Sequence, residues 1–180
     1  EALNERRSDP ITLKPFQVLA CLMTEAYLDR VVNDREAFLA NLNKFVNEQN
    51  EEKGRIKFPE FEDSDLDKLA FWMATGSGKT LLMHINYYQY LDYVEDSDNL
   101  PENILLVTPN EGLSEQHIED LRESSIPCHH FNADTIELQG VGENPVKVIE
   151  IQKLVEEKSG EGLSVEVESF GHNNLVLVDE

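Results

Sequence analysis

Leu69-Ala70-Phe71-Trp72-Met73-Ala74-Thr75-Gly76-Ser77-Gly78-Lys79-Thr80-Leu81 is the stretch on which the reading of this chain turns. Its first five residues form a short apolar run, which predicts a buried strand leading into the loop. Two glycines follow within the loop, and from Leu81 to Tyr93 apolar residues continue at helical spacing. Strand, glycine loop and helix in that order make a βα unit suited to binding phosphate. Such a loop turns successive backbone N–H groups toward one anion, and Gly76 and Gly78 supply the permissive backbone where phosphate must come close. Lys79 is then placed to reach the β- and γ-phosphates of a nucleotide and Thr80 to ligate Mg2+, while the helix N-terminus adds its partial positive charge. The common form of the pattern is Gly, any four residues, Gly-Lys-Ser/Thr. Met73 stands at the leading glycine here, a change the chemistry tolerates. A glycine-rich turn ahead of a helix is common in any fold, but Gly-x-Gly-Lys-Thr between a buried strand and a helix is not.

Working outward, Ile104 to Val107 reads as a second buried strand, closed by Thr108 and Pro109, with a helix after it carrying Leu113, His117, Ile118 and Leu121 on one face. Ile126 to Phe131, Val146 to Ile151 and Leu175 to Val178 are further strand candidates. Continuous apolar strands alternating with helices predict an α/β fold with a mostly parallel sheet covered on both faces. Leu175 to Val178 ends in Asp179-Glu180. Two acids after an apolar strand are usually just its solvated end. With a phosphate loop upstream in the same sheet they fit the other half of a nucleotide-hydrolysing site, Asp179 holding Mg2+ and Glu180 deprotonating the attacking water.

Toward the N-terminus, Phe16, Leu19, Ala20, Met23, Ala26 and Tyr27 recur at helical spacing, with Thr12 or Asp9 as the start ahead of Pro15. Phe38, Leu42, Phe45 and Val46 mark a second helix, and the charged stretch from Glu48 to Lys68 reads as a solvated linker or arm. Ser159 to Asn174 reads as a small hairpin or a surface insertion.

A chain of 180 residues, 40% of them hydrophobic, can bury one core. No apolar run approaches the ~20 residues that span a bilayer, and Glu1 to Asp9 carry no secretory pattern, so a cytoplasmic location is expected. Cys21 and Cys128 lie far apart and suggest neither a disulfide framework nor a zinc cluster; Cys128-His129-His130 lacks the further ligands tetrahedral zinc needs. His84 and the tyrosines Tyr87, Tyr88, Tyr90 and Tyr93 share a helix that must pack on the sheet, which favours structural roles over catalysis or base stacking. A net charge of -21 is unusual for a protein that touches nucleic acid, where phosphate contact normally shows as a basic face. Any polynucleotide must therefore be gripped locally, or by parts lying outside these residues.

Taken together these motifs resemble helicase superfamily two, of the DEAD/DEAH-box kind, whose motor is a pair of RecA-like lobes. Met73 to Thr80 looks like that family's first motif, in the variant of restriction-enzyme motor subunits. Leu13-Lys14-Pro15-Phe16-Gln17 resembles the upstream element whose glutamine reads adenine, which implies that role for Gln17; an exposed helical glutamine is the competing reading. Leu105 to Gln116 resembles the motif that ends a strand at a proline and turns a helix N-terminus toward the nucleic-acid backbone. Asn110 and Glu111 stand there in place of a basic residue, which leaves the contact to backbone N–H groups. Val178-Asp179-Glu180 looks like the start of the family's Asp-Glu motif. The entry into the loop and the stretch Val146 to Leu154 are most similar to the Res, or motor, subunit of type III restriction enzymes.

The resemblance implies the first RecA-like lobe of a P-loop NTPase, a three-layer fold incomplete at its C-terminus and lacking the second lobe. Residues 1–50 would be a helical part with the adenine-reading element, 51–68 an acidic linker and 69–180 the P-loop core. It implies ATP and Mg2+ as cofactors, with Lys79 and Glu180 catalytic, Gln17, Ala74, Thr75, Gly76, Ser77, Gly78, Lys79 and Thr80 binding nucleotide, and Thr80 and Asp179 holding the metal. It further implies a motor moving on duplex DNA, with a methyltransferase or specificity subunit as partner, and weak hydrolysis by one lobe alone. Alternatives are another DNA or RNA helicase of the superfamily, or a P-loop protein that is not a motor. A small-molecule kinase would keep an arginine-rich lid, and only six arginines occur, none clustered beyond Arg6-Arg7. Intact Lys79, Thr80, Asp179 and Glu180 argue against a module that binds ATP without hydrolysis.

Overall fold

A computed structural model describes residues 2–4, 10–53, 57–95, 100–131, 144–155 and 165–179. Helix α1 (Pro15–Asn33) starts later than Thr12 or Asp9, with Lys14 as its cap. Proline suits the first helical position, where its missing N–H would have had no partner. The Lys14 N–H instead donates to Gln17 Oε1 at 2.9 Å. Helix α2 (Arg35–Lys53) follows across Asp34, and Arg35 reaches over to Asp63 and Asp67 at 2.8 and 2.7 Å.

Residues 57–65 of the charged stretch after α2 are exposed, yet they are tied to that helix. Asn43 exchanges both amide bonds with the backbone of Phe61, and Asn50 does the same with Phe58, all four distances between 2.7 and 2.9 Å. Asn47 donates to Glu60. Seven helical residues rise about 10 Å, the span of three residues of extended chain, so the asparagines match the spacing of the segment they hold. Tyr27 Oη donates to Leu66 O at 2.5 Å, which carries the tie on to α1.

Leu69 to Met73 forms no strand, against the expectation from its apolar run, and Trp72 is fully exposed. A strand needs a ladder partner, and the sheet ends elsewhere. Helix α3 (Lys79–Val94) packs on α1, where Gln89 donates to Cys21 O and to Glu25, and Tyr93 donates to Glu25.

Strands β1 (Asn103–Thr108), β2 (Cys128–His130), β3 (Val146–Glu150) and β6 (Asn174–Val178) make one parallel sheet in the order β2-β3-β1-β6. β4 (Leu154–Val155) and β5 (Val165–Glu166) make a separate two-residue parallel pair; of the stretch Ser159 to Asn174, residues 159–164 lie outside the described residues. Helix α4 (Glu111–Glu123) is capped by Asn110, whose side chain accepts from Leu113 N at 3.0 Å. It stops at Ser125, φ 59, where Ile126 N–H returns to Leu121 O.

Alternation along the strands builds two cores. Ile104, Leu106, Val146 and Val148 face Tyr87, Ile118, Leu121 and Ile126 beneath α3 and α4. Leu105, Val107 and Ile149 face the other way, against Val165 and Phe170. Among the described residues this second face is therefore covered by a short strand and a 3-10 turn rather than an α-helix. Leu106 and Leu121 are wholly buried, each stabilising the fold by roughly 1.5–3 kcal/mol. His84 is buried as well, its Nδ1 2.8 Å from Ser124 Oγ, and Tyr87 is buried while Tyr88, Tyr90 and Tyr93 are half-buried. Cys21 and Cys128 are both free and half-buried.

Candidate nucleotide site

The loop between Met73 and α3 is held by Ser77 N–H to Ala74 O at 3.1 Å, and by the left-handed turns of Gly76 (φ 73) and Gly78 (φ 90). Gly78 is also the cap of α3, so the turn that shapes the loop points the helix N-terminus at it. A Cβ on Gly76 would meet nothing within 4 Å, whereas a Cβ on Gly78 would lie 2.5 Å from Gln17 Nε2. One glycine thus borders open space and the other a side chain.

That side chain comes from the other end of the chain. Gln17 is buried and donates from Nε2 to Ser77 O at 2.8 Å while Oε1 accepts from Lys14 N. An exposed helical glutamine is excluded, and the start of α1 is fastened to the loop. One hydrogen of Nε2 remains beyond the Ser77 bond.

Thr80 Oγ1 donates to Asp179 Oδ2 at 2.9 Å, across 99 positions of sequence. The register explains the meeting: β6 pairs with β1, and Val178 lies level with Val107. Asp179 therefore emerges at the C-terminal end of the strands, where an open parallel sheet binds its ligands. Glu180 lies outside the described residues. Among the described residues Lys79 Nζ has only Met73 O within reach, at 3.4 Å, and Ser77 Oγ is buried with no partner. The residues present fit a polyphosphate with Mg2+. A cation and an orphaned hydroxyl stand beside an open left-handed glycine, and a hydroxyl and a carboxylate side by side are hard oxygen donors of the kind Mg2+ prefers.

Two further groups went unread in the sequence. His117, taken as one residue of an apolar helix face, brings Nε2 to 3.5 Å from Asp179 Oδ2 and is almost wholly buried. Thr108 Oγ1, Ser114 Oγ and Glu150 Oε1 form a buried chain, with steps of 2.7 and 3.3 Å, where β1 and β3 end. Burial pushes the Glu150 carboxyl up, but the paired Lys153 ammonium and the Ser114 hydroxyl outweigh it and hold the group below the usual carboxylate range. A helical period shows His117 as apolar-facing and nothing more, because its partner lies on another strand. On the opposite sheet face Lys147 is buried with its ammonium on Asn103 Oδ1, and burial lowers its pKa.

No helix among the described residues is long and apolar enough to cross a membrane. A family model described as "Type III restriction enzyme, res subunit" matches residues 14–180. Neither the curated proteins nor the solved structures compared with the chain give a match.

Proposed function

This chain belongs to the type III restriction enzyme res subunit family, as a superfamily-two RecA-like lobe with a helicase-like ATP-binding motor fold, and we propose that it drives a DNA translocase of a restriction system. The lobe couples ATP hydrolysis to movement on duplex DNA, in the cytoplasm, beside a methyltransferase or specificity subunit. The observation that carries the reading is the 2.9 Å contact between Thr80 and Asp179, which joins the phosphate loop to the strand-end acid. A loop that merely caps a helix has no need of a carboxylate from a distant strand.

In this reading the loop from Ala74 to Thr80 binds the phosphates through its backbone N–H groups, with Lys79 Nζ on the β- and γ-oxygens. Thr80 and Asp179 hold Mg2+, which when bound supplies charge that polarises the phosphoryl oxygens. Glu180 orients the attacking water and takes its proton for in-line transfer. Gln17 turns its remaining Nε2 hydrogen to the adenine. At the α4 N-terminus Asn110 already occupies the Leu113 N–H. The N–H groups before it are the ones left to meet a DNA phosphate, without side-chain charge.

Lys79→Ala should weaken nucleotide binding by at least tenfold, about 1.4 kcal/mol, and Trp72, the only tryptophan and just ahead of the loop, is an intrinsic fluorescence reporter of it. Unchanged ATP affinity would sink the site. For the motor, ATP hydrolysis by the intact protein should rise with duplex DNA and be accompanied by triplex displacement. Equal rates with and without DNA and no displacement would leave a P-loop protein that is not a DNA motor.

A further inference from the structure

Asp179 directly follows an edge strand whose Val176 and Val178 are exposed, while its own carboxylate is largely covered. The Thr80 bond alone leaves the carboxylate free to swing about that oxygen. A second group approaches the same atom: His117 Nε2 stands 3.5 Å from Asp179 Oδ2, with the imidazole 6% and the carboxylate 17% exposed. The histidine itself has little freedom. It rides on α4, which is pinned at its first turns by the Asn110 cap and by Ser114 bonded to Thr108 and Glu150, and along its length by Ile118 and Leu121 in the core.

Simple packing does not account for an imidazole here. Its Nδ1 is buried with no hydrogen-bond partner among the described residues, a cost that an apolar side chain of similar size would avoid. The ring's Nε2 faces the Asp179 carboxylate. A proton on Nε2 is the arrangement that donates toward a carboxylate.

We propose that His117 is a positioning residue for the metal-holding carboxylate: its Nε2–H fixes the orientation in which Asp179 holds Mg2+ against Thr80. The inference rests on the reading of Asp179 as a holder of that ion. Hydrogen bonds from outside the coordination sphere orient ligating carboxylates in this way, and their loss typically costs 10–100-fold in metal affinity.

The test is equilibrium binding of a fluorescent, non-hydrolysed ATP analogue, titrated with Mg2+ and repeated in EDTA, with a thermal melt to confirm folding of each variant. His117→Ala should raise the Mg2+ midpoint about tenfold or more while leaving affinity in EDTA unchanged. His117→Gln, whose amide N–H reaches the place of Nε2, should stay within about threefold of the parent. His117→Asn keeps polarity and bulk but falls short of Asp179, and should behave like His117→Ala; it also serves if the alanine variant fails to fold. A parental midpoint in His117→Ala or His117→Asn, no rescue by His117→Gln, or an equal loss in EDTA would each overturn the proposal. Asp179→Asn separates the two ideas: an unshifted midpoint there removes Asp179 from the metal site altogether. A shift in Asp179→Asn with none in the His117 variants removes only the positioning role.

Discussion

Replacing Gly78 by alanine tests the geometry on which the nucleotide site depends. At φ 90 an L side chain is strained by roughly 1–2 kcal/mol. The new Cβ would also stand 2.5 Å from Gln17 Nε2, too close to coexist, so the amide must leave. Leaving breaks its bonds to Ser77 O and Lys14 N, each worth about 0.5–1.5 kcal/mol net. The whole penalty is then about 2–5 kcal/mol, and at roughly 2–4 °C per kcal/mol for a chain this long, Tm falls by about 4–20 °C. In a Gln17→Ala background the clash is gone and Gly78→Ala should cost only the backbone strain, about 1–2 kcal/mol. Urea unfolding of the four proteins by far-UV circular dichroism gives the coupling directly, expected near 1–3 kcal/mol. An identical penalty in both backgrounds would show that Gln17 does not lie against the loop. A penalty under about 0.5 kcal/mol in the parent would show that the turn is not left-handed.

Gly76→Ala, also left-handed but with open space around it, should cost about 1–2 kcal/mol in either Gln17 background, because strain is all it introduces. Asn43→Ala and Asn50→Ala each remove a pair of amide bonds to the segment at residues 58–61 and should open the chain at Phe58 or Phe61 to chymotrypsin faster than in the parent; unchanged cleavage would mean the asparagines do not hold it. Glu150 has a folded pKa below its unfolded value of about 4.3, so its stabilisation is present above that pH and disappears as pH falls through the folded pKa. Glu150→Gln should therefore flatten the acid limb of the stability profile; a limb of unchanged steepness would argue against the pairing of Glu150 with Lys153 and its bond to Ser114.

Local chemistry made part of this molecule readable. Gly76-Ser77-Gly78-Lys79-Thr80 points to a phosphate loop without reference to any partner, since residue types and order are what such a loop requires. The periods of α1, α3 and α4 and the apolar runs of β1, β3 and β6 were likewise visible, because burial on a helix or a two-faced strand imprints its repeat on a few neighbouring residues. Leu69 to Met73 shows the limit of that signal: five apolar residues describe a run that would suit a strand, but a strand exists only beside another.

The asparagines of α2 show the same limit in reverse, since Asn43, Asn47 and Asn50 look like any solvated helix face until the segment they clasp lies across them. Gln17 was legible as a motif but not as a neighbour of Ser77, 60 positions on. The sequence by itself determined the α/β class, and it pointed to the glycine loop and to the acids after the last strand as the candidate site. Only the tertiary structure decided that β1 lies between β3 and β6, and hence that Thr80, Asp179 and His117 converge on one oxygen. Parallel pairing joins strands through long crossovers, so no local pattern in either strand states which neighbour it will take.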